Sequence, residues 1–90
     1  MPHALVMQVK LLDGGESEEG MRILKEMVVP QAKSQAGFQR GTWMNHGGDG
    51  MGVVVFDSAE HAQAAQEDLK PPPGGPELVS SVIYEVGAEA

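Results

Sequence analysis

The residues best suited to chemistry lie together in one run of the sequence, GFQRGTWMNHGGDGMGVVVF. This run holds the single Trp, both Phe residues and one of the three His residues of a 90-residue chain. Aromatic faces bind flat apolar molecules, and an imidazole can take a proton from a substrate near neutral pH. A glycine-rich turn between two apolar stretches is also typical of a β-hairpin. Two interpretations are therefore open: a ligand-binding surface, or a hairpin whose aromatic side chains fill a core.

Three side chains are candidates for catalysis: His46, Asn45 and Tyr84. His46 lies where a predicted strand meets the turn and could act as a general base, although a His at a hairpin end is often solvent-exposed. Asn45 is a polar neighbour of Trp43 in the sequence. The hydroxyl of Tyr84 could face a cavity, or the ring could pack with that hydroxyl at a rim.

Three more side chains are candidates for binding a ligand: Trp43, Arg40 and Phe56. Gly41 beside Trp43 predicts a gap one side chain wide next to a flat ring, which suits an aromatic ligand. The alternative is a Trp in a core or an interface. Arg40 could hold a carboxylate or phenolate, or it could pair with an acid across an interface.

The faces on which these side chains lie depend on how the hairpin closes. If it closes around residues 48–49, Trp43 opposes Val54 and shares a face with Phe56. The opposite face then holds a second set: Phe38, Arg40, Thr42, Met44 and His46. A slip of one residue would exchange the two faces, so the sequence leaves the face of Trp43 open.

Composition argues against several classes of partner and site. The net charge is −7, from 13 acidic and 6 basic residues, whereas nucleic acids and anionic membranes require clustered Lys and Arg. With no Cys and no His pair at ligand spacing, neither a metal nor another cofactor is predicted. The N-terminus lacks a basic and apolar leader, and no segment approaches ~20 apolar residues, which predicts a cytoplasmic protein.

Apolar spacing predicts the order β-α-β-β-α-β in a single domain over residues 1–90. The predicted strands are 4–12, 37–46, 51–56 and 78–86. Ser17 is the predicted N-cap of the first helix, and Pro30 should kink or break that helix near Val29.

Asp57 and Glu60 have the spacing of a capping box, which predicts the start of the second helix. This helix should end at about Leu69, because the prolines that follow cannot continue it. Residues 87–90 are predicted to be a frayed tail.

These lengths match a ferredoxin-like α+β fold, in which both helices cover one face of a four-stranded antiparallel sheet. Both faces of the predicted strands carry apolar side chains, since Val53 and Val55 alternate with Val54 and Phe56. A sheet with one solvated face should instead alternate apolar and polar residues. An apolar patch as wide as four strands exceeds what soluble monomers usually expose, which predicts a homodimer.

The element order, AGF at the start of the second strand and VVVFDSAEHAQAA at 53–65 together resemble the dimeric α/β-barrel superfamily. The best-known branch of this superfamily is the antibiotic biosynthesis monooxygenase-like proteins. The resemblance covers nearly the whole chain and implies two sheets packed face to face in a barrel, with a small cavity in each subunit. Members include oxygenases, haem-degrading enzymes and isomerases, so the resemblance implies a scaffold rather than a chemistry.

The haem-degrading members of this superfamily carry an Asn on the first strand and a Trp and a His on the second helix. Here the first strand offers Gln8, and the second helix has His61 but no Trp. The resemblance therefore disfavours haem degradation.

The oxygenase branch implies a monooxygenase without a cofactor that acts on a phenolic or polyketide-like aromatic molecule. Its site would need an apolar cavity, hydrogen-bond donors and a base. One alternative is a homodimer that binds a small aromatic or hydrophobic molecule without turnover, with Met-rich walls that adapt to the ligand. Another alternative is a module that serves only for assembly. A filled sheet interface favours assembly, whereas a cavity with convergent polar groups favours the other two.

Overall fold

The computed structural model describes residues 1–11, 18–71 and 76–90. Its strands are β1 His3–Lys10, β2 Phe38–His46, β3 Asp49–Phe56 and β4 Glu77–Glu85. They form one sheet in the order β2-β3-β1-β4, and every neighbouring pair is antiparallel. With helices between β1 and β2 and between β3 and β4, this is the ferredoxin-like arrangement. The predicted α+β class and four-stranded antiparallel sheet are confirmed.

Residues 18–33, which lie between β1 and β2, are helical without a break. They comprise α1 Glu18–Ile23, a π-helical turn Leu24–Val28 and α2 Val29–Lys33. The N–H of Val29 donates to the carbonyl of Leu24, five residues back, so the bonding pattern is reset just before Pro30. Pro30 then stands in the first turn of α2. The predicted irregularity is present as a π turn rather than a break, and the predicted N-cap at residue 17 lies outside the described residues.

Helix α3, Ala59–Asp68, begins at a different cap from the predicted one. The hydroxyl of Ser58 accepts the backbone N–H of His61 at 3.2 Å, and Ser58 has the extended backbone of an N-cap. The predicted capping box at Asp57 is wrong because the Asp57 carboxylate contacts the His61 side chain instead. The helix ends at Asp68 as expected, and the prolines at 72 and 73 lie outside the described residues.

The core lies between one face of the sheet and the helices α2 and α3. Its buried members are Leu5, Ala32, Val54, Phe56, Ala62, Ala65 and Leu69. The Gln66 side-chain amide donates to the backbone carbonyl of Ser81 at 2.9 Å and to its hydroxyl at 3.1 Å, which fastens α3 to β4. One face of the sheet is therefore packed within the single chain.

The hairpin between β2 and β3 closes around Gly47 and Gly48, with His46 paired to Asp49. Gly47 has φ of 60°, the left-handed conformation that two-residue hairpin loops require. The predicted loop at residues 48–49 is wrong, and each β2 residue after a bulge at Gln39 pairs with a β3 residue two positions earlier than predicted. Trp43 therefore opposes Gly52 instead of Val54. Because side chains alternate between the two faces of a strand, a shift of two residues in the pairing leaves each side chain on the predicted face. Trp43 therefore lies on the same face as Phe56, against the core.

A bulge at Gln39 changes the face of the first residue of β2. Phe38 pairs with Phe56 and Arg40 with Val55, so Gln39 has no counterpart on β3. Phe38 therefore lies on the core side, where its ring meets that of Phe56 edge to face at a centroid distance of 6.4 Å. The prediction that Phe38 shares a face with Arg40 is wrong for this reason.

Candidate functional site

Trp43 lies on the helix-covered face, where its indole rests on two glycines. A Cβ atom at Gly41 would lie 2.6 Å from Trp43 Cη2, and one at Gly52 would lie 3.0 Å from Nε1. A side chain at Gly41 would displace the ring, and one at Gly52 would require the ring to move by a few tenths of an ångström. The ring is half-buried and packs against the core. The gap predicted beside Gly41 is thus filled by Trp43 itself, while ligand binding by Trp43 stays a prediction.

The other face of the sheet, called here the uncovered face, carries its side chains in four rows across β2, β3, β1 and β4. Row one is Arg40, Val55, Ala4 and Tyr84; row two is Thr42, Val53, Val6 and Val82; row three is Met44, Met51, Gln8 and Ser80; row four is His46, Asp49, Lys10 and Glu77. In the single chain the exposed fractions are 43% for Val82, 49% for Met44 and 55% for Tyr84. The first three rows are mainly apolar, and the ionisable side chains concentrate in row four.

A shallow depression of about 440 Å³ lies on the uncovered face at the hairpin end. Its apolar lining includes Met44, Met51 and Val79, and its polar lining includes Gln8 and His46. Sites for drug-sized ligands occupy roughly 300–1,000 Å³ and bury most of the ligand. The depression has the volume for a molecule of one or two rings, but its open side needs a cover.

The three predicted catalytic residues do not meet in one place. His46 and Asn45 line the depression, whereas Tyr84 lies in row one on the opposite edge strand. The edge strands are three strand spacings, about 14 Å, apart, and rows one and four are about 20 Å apart along the strands. A small molecule in one chain cannot touch both His46 and Tyr84. Catalytic roles for these three residues stay predictions.

Arg40, in row one, has an acidic partner from its own chain. Its guanidinium forms an ion pair with Glu89 in the C-terminal tail, residues 86–90. The N–H of Val86 donates to the carbonyl of Pro2 at 3.0 Å, so the tail first extends the pairing of β4 with β1. Residues 87–90, the predicted frayed tail, are exposed and have no regular secondary structure, and Glu89 contacts Arg40. Ligand binding by Arg40 remains a prediction.

Phe56, the remaining predicted ligand-binding residue, is completely buried. Its ring packs against Phe38 in the core, on the face opposite the depression. The depression and the Trp43 platform therefore lie on opposite faces of the same hairpin. Contact between Phe56 and a ligand stays a prediction.

Asp57 and His61 form a second polar pair at the start of α3. Nδ1 of His61 lies 2.5 Å from Oδ1 of Asp57, and this hydrogen bond lowers the pKa of the Asp57 carboxyl below its ordinary value. The Asp57 N–H donates to the carbonyl of Gly37 at 2.9 Å. Gly37 has φ of 79°, and a Cβ atom there would collide with both partners of the pair. The pair thus fastens α3 to the turn before β2, which is a structural role.

Two further features of the described residues bear on function. Within the described ranges, no three His, Asp or Glu side chains come together as a metal ion would require. No helix within those ranges has the length and apolarity needed to cross a lipid bilayer.

Comparison with known proteins shows a likeness in structure. No protein-family model and no curated protein matches this sequence. The chain is similar to the structure of Rv0793 from Mycobacterium tuberculosis, with a TM-score of 0.60 and 13% sequence identity over 100% of this chain and 99% of that chain. At this identity the likeness shows the fold, and it agrees with the ferredoxin-like arrangement of the sheet and helices.

Sequence reasoning did not identify the apolar wall of the depression. Met44 and Met51 are direct partners across the hairpin, and Gln8 pairs with Met51 from β1. Closing the hairpin around Gly47 and Gly48, the usual two-residue loop, would have predicted the Met pair. Val79 lies at an irregularity in the β1–β4 pairing, which no local pattern in the sequence indicates.

Proposed function

We propose that the chain forms a homodimer through its uncovered face and that the dimer binds a small hydrophobic molecule at the depression beside Met44 and Met51. The observation that carries this proposal is the exposure of Val82, Met44 and Tyr84 on a sheet face that also carries Val6, Val53 and Met51. Soluble monomers rarely leave a patch of this kind wet. The arrangement of strands and helices also supports membership in the dimeric α/β-barrel superfamily. A cytoplasmic location stays an expectation from the sequence.

The charges of row four favour one relation between the copies. With a two-fold axis parallel to the strands, β3 of one copy faces β1 of the other, so Asp49 lies opposite Lys10 of the second copy. Row two then sets Val53 opposite Val6 of the second copy. An axis perpendicular to the strands would instead press Asp49, which pairs with Lys10 of its own chain at 3.8 Å, against Val55 of the second copy, and burying an ion pair against apolar side chains is costly. With the axis parallel to the strands, Asp49 of each copy meets Lys10 of the other, so the interface is self-complementary, as a two-fold interface must be.

The same relation supplies a cover for the depression. Met44 on β2 lies opposite Ser80 on β4 of the second copy, and this small side chain leaves room above the Met pair. Thioether side chains adapt to irregular apolar ligands, and Gln8 and His46 offer polar groups at the edge. The dimer would therefore enclose what the single chain leaves open.

Self-association is tested by sedimentation equilibrium at micromolar concentration, comparing the wild-type chain with Val82→Lys. We expect a dimer for the wild type and a folded monomer for the variant, because a Lys ammonium in row two would be buried against apolar side chains. Gln63→Lys adds the same charge on the exposed side of α3 and should leave the dimer intact. A wild-type chain that sediments as a monomer would refute the proposal.

Ligand binding is tested by titrating the dimer with naphthalene- and quinone-sized aromatic compounds and measuring heat. Met51→Gln changes the wall of the depression with little change in side-chain length and should weaken binding about tenfold or more. Met21→Gln makes the same substitution on an exposed helix position and should have no effect. Equal affinities for the two variants would place any bound ligand elsewhere.

A second candidate function, oxygenation of a phenol without a cofactor, is favoured by one observation: His46 lines the apolar depression. There it could take the phenol proton, and the resulting anion would react with O2. A phenol with a free para carbon and one O2 give one quinone and one water, so the substrate supplies all the electrons. Oxygen consumption with a panel of phenols and hydroquinones tests this, with His46→Ala as the variant and His3→Ala as the control. Binding without oxygen uptake would leave the binding function and remove the oxygenase.

A further inference from the structure

We propose that Met44, Met51 and His46 form a binding site for a soft monovalent metal ion, Cu(I), on the wall of the depression. The inference goes beyond the proposed function, because a single chain supplies all three donor atoms and no second copy is needed. In the part of the chain that the structure describes, no three His, Asp or Glu side chains come together. Thioether sulfur lies outside that set of donors, and it is a donor that Cu(I) prefers.

The pairing of the hairpin places the two thioethers side by side. Met44 on β2 is the direct cross-strand partner of Met51 on β3, and both side chains lie on the uncovered face. The Cβ atoms of such partners are about 4.5–5.5 Å apart. Each sulfur is carried on a flexible, unbranched side chain. The two sulfur atoms can therefore turn toward one ion without a movement of the backbone.

His46 supplies the third donor from the neighbouring row. It lies two residues after Met44 on β2, and therefore on the same face, about 7 Å further along the strand. All three side chains line the same depression. His46 is exposed, so its ring can turn toward the Met pair, and imidazole is a ligand that suits copper. The three donors can thus meet one ion between rows three and four.

The charges around these donors suit an ion of low charge. Two thioethers and a neutral imidazole leave a bound Cu(I) with its single positive charge. The carboxylate of Asp49, the cross-strand partner of His46, lies beside the site, and the ammonium of Lys10 is 3.8 Å from that carboxylate. The site therefore has little surplus negative charge for a divalent ion. Ca²⁺ and Mg²⁺ also require oxygen donors, so the type of donor selects the soft ion.

The remaining methionines provide an internal comparison. Met7 packs against the core on the other face of the sheet. Met21 and Met27 are 44% and 60% exposed on the helical segment before β2. These two have the same thioether group and are as accessible as Met44, which is 49% exposed, but they are not cross-strand partners. Exposure alone therefore predicts binding at all of these positions, whereas the proposed site predicts it at the hairpin.

Competition with a chromophoric Cu(I) chelator, in ascorbate and without oxygen, tests the site. Met44→Leu and Met51→Leu remove the sulfur but keep an apolar side chain of similar size. Each should weaken Cu(I) binding about tenfold or more, since even the loss of a group that only supports a metal ligand costs about 10–100-fold. Met27→Leu makes the same change at an exposed helix position and should bind Cu(I) as the wild type does. Equal affinities for the wild type and M44L/M51L would overturn the site.

The role of the imidazole has its own test. His46→Ala should also weaken Cu(I) binding about tenfold or more, and His3→Ala is the matched control on β1. Unchanged affinity in His46→Ala would remove the imidazole from the site and overturn the three-donor arrangement.

Nuclear magnetic resonance with Ag(I), a soft ion that keeps its oxidation state, locates the donors directly. With an equimolar amount of Ag(I), the ε-methyl signals of Met44 and Met51 should shift together with the ring signals of His46. The ε-methyl signals of Met21 and Met27 should stay in place. Shifts confined to Met21 and Met27 would place the ion elsewhere and overturn the proposal.

Failure of the metal site and failure of the proposed function are distinguishable. The Leu variants keep the wall of the depression apolar, so they should still bind the aromatic compounds while they lose Cu(I). A wild-type dimer that binds those compounds but not Cu(I) overturns the metal site alone. A wild-type monomer that binds Cu(I) through the hairpin donors supports the metal site and refutes only the homodimer.

Discussion

The two faces of the sheet carry similar apolar side chains in very different surroundings. On the helix-covered face Leu5, Val54 and Phe56 are completely buried, and two glycines lie under the indole of Trp43. On the uncovered face Val82 and Tyr84 are about half exposed. Among the described residues of that face, only Ala4 and Val55 are buried in the single chain. Apolar surface stabilises only when it leaves water, so the first face stabilises the single chain, whereas most of the second contributes only when something covers it.

The largest expected effect comes from the centre of the covered face. Phe56→Ala should lower the free energy of unfolding by about 3–5 kcal/mol, because the ring is fully buried and its loss leaves a cavity beside Phe38. Urea unfolding followed by circular dichroism measures this. Tyr84→Ala on the uncovered face, measured at a concentration where the chain is monomeric, should cost less than about 1 kcal/mol, since half of that ring is already in water. Equal losses would show that the two faces do not differ as described.

A smaller effect is expected where the covered face is tightest. Gly41→Ala places a methyl group within 2.6 Å of the Trp43 ring and should destabilise the chain by about 1–3 kcal/mol. The displaced indole should become more exposed, and its fluorescence should shift to longer wavelength. Gly87→Ala meets nothing within 4 Å and is the matched control. Unchanged emission in Gly41→Ala would mean that the ring does not rest on that glycine.

The same substitution on both faces gives the most direct comparison. Val54→Ala should lower the free energy of unfolding by about 1.6 kcal/mol, because two methyl groups are lost from a buried site at about 0.8 kcal/mol each. Val82→Ala should cost clearly less in the monomer, because that side chain is 43% exposed. Repeating the unfolding at increasing protein concentration sharpens the test. The Val82 effect should grow with concentration if a second copy covers the face, whereas the Val54 effect should not.

The smallest effect involves neither face. The hydrogen bond from His61 lowers the pKa of Asp57, so the folded state favours the ionised carboxylate. This contribution is complete above the unfolded pKa of about 4 and is lost as the pH falls through the lower folded value. Asp57→Asn should therefore destabilise the chain at about pH 5 and make little difference at about pH 2. A stability difference that is the same at both pH values would contradict a stabilising pair.

The sequence predicts the architecture because its signals are local. Alternation in the strands, the acidic start of α3 and the glycine turn each follow from a few neighbouring residues, and few topologies accommodate their order. The apolar character of both sheet faces also follows from alternation alone. These features required no knowledge of distant contacts.

The details that the sequence did not predict depend on one-residue choices or on contacts between distant parts of the chain. The run GGDG permits more than one hairpin closure, and the bulge at Gln39 moves Phe38 to the core face without any turn residue to mark it. Ser58 and Asp57 are both good N-caps, and His61 decides between them by pairing with Asp57. The contact of Arg40 with Glu89 joins opposite edges of the sheet, so no local pattern could indicate it.

The position of the indole on its two glycines constrains how this hairpin can evolve. Trp43 occupies the space that side chains at Gly41 and Gly52 would need. A descendant that first exchanged the tryptophan for a small residue could later acquire alanine or valine at either glycine without a clash. The reverse order passes through a destabilised intermediate in which the ring is displaced. Substitutions at the three positions should therefore accumulate in one order, with the tryptophan lost first.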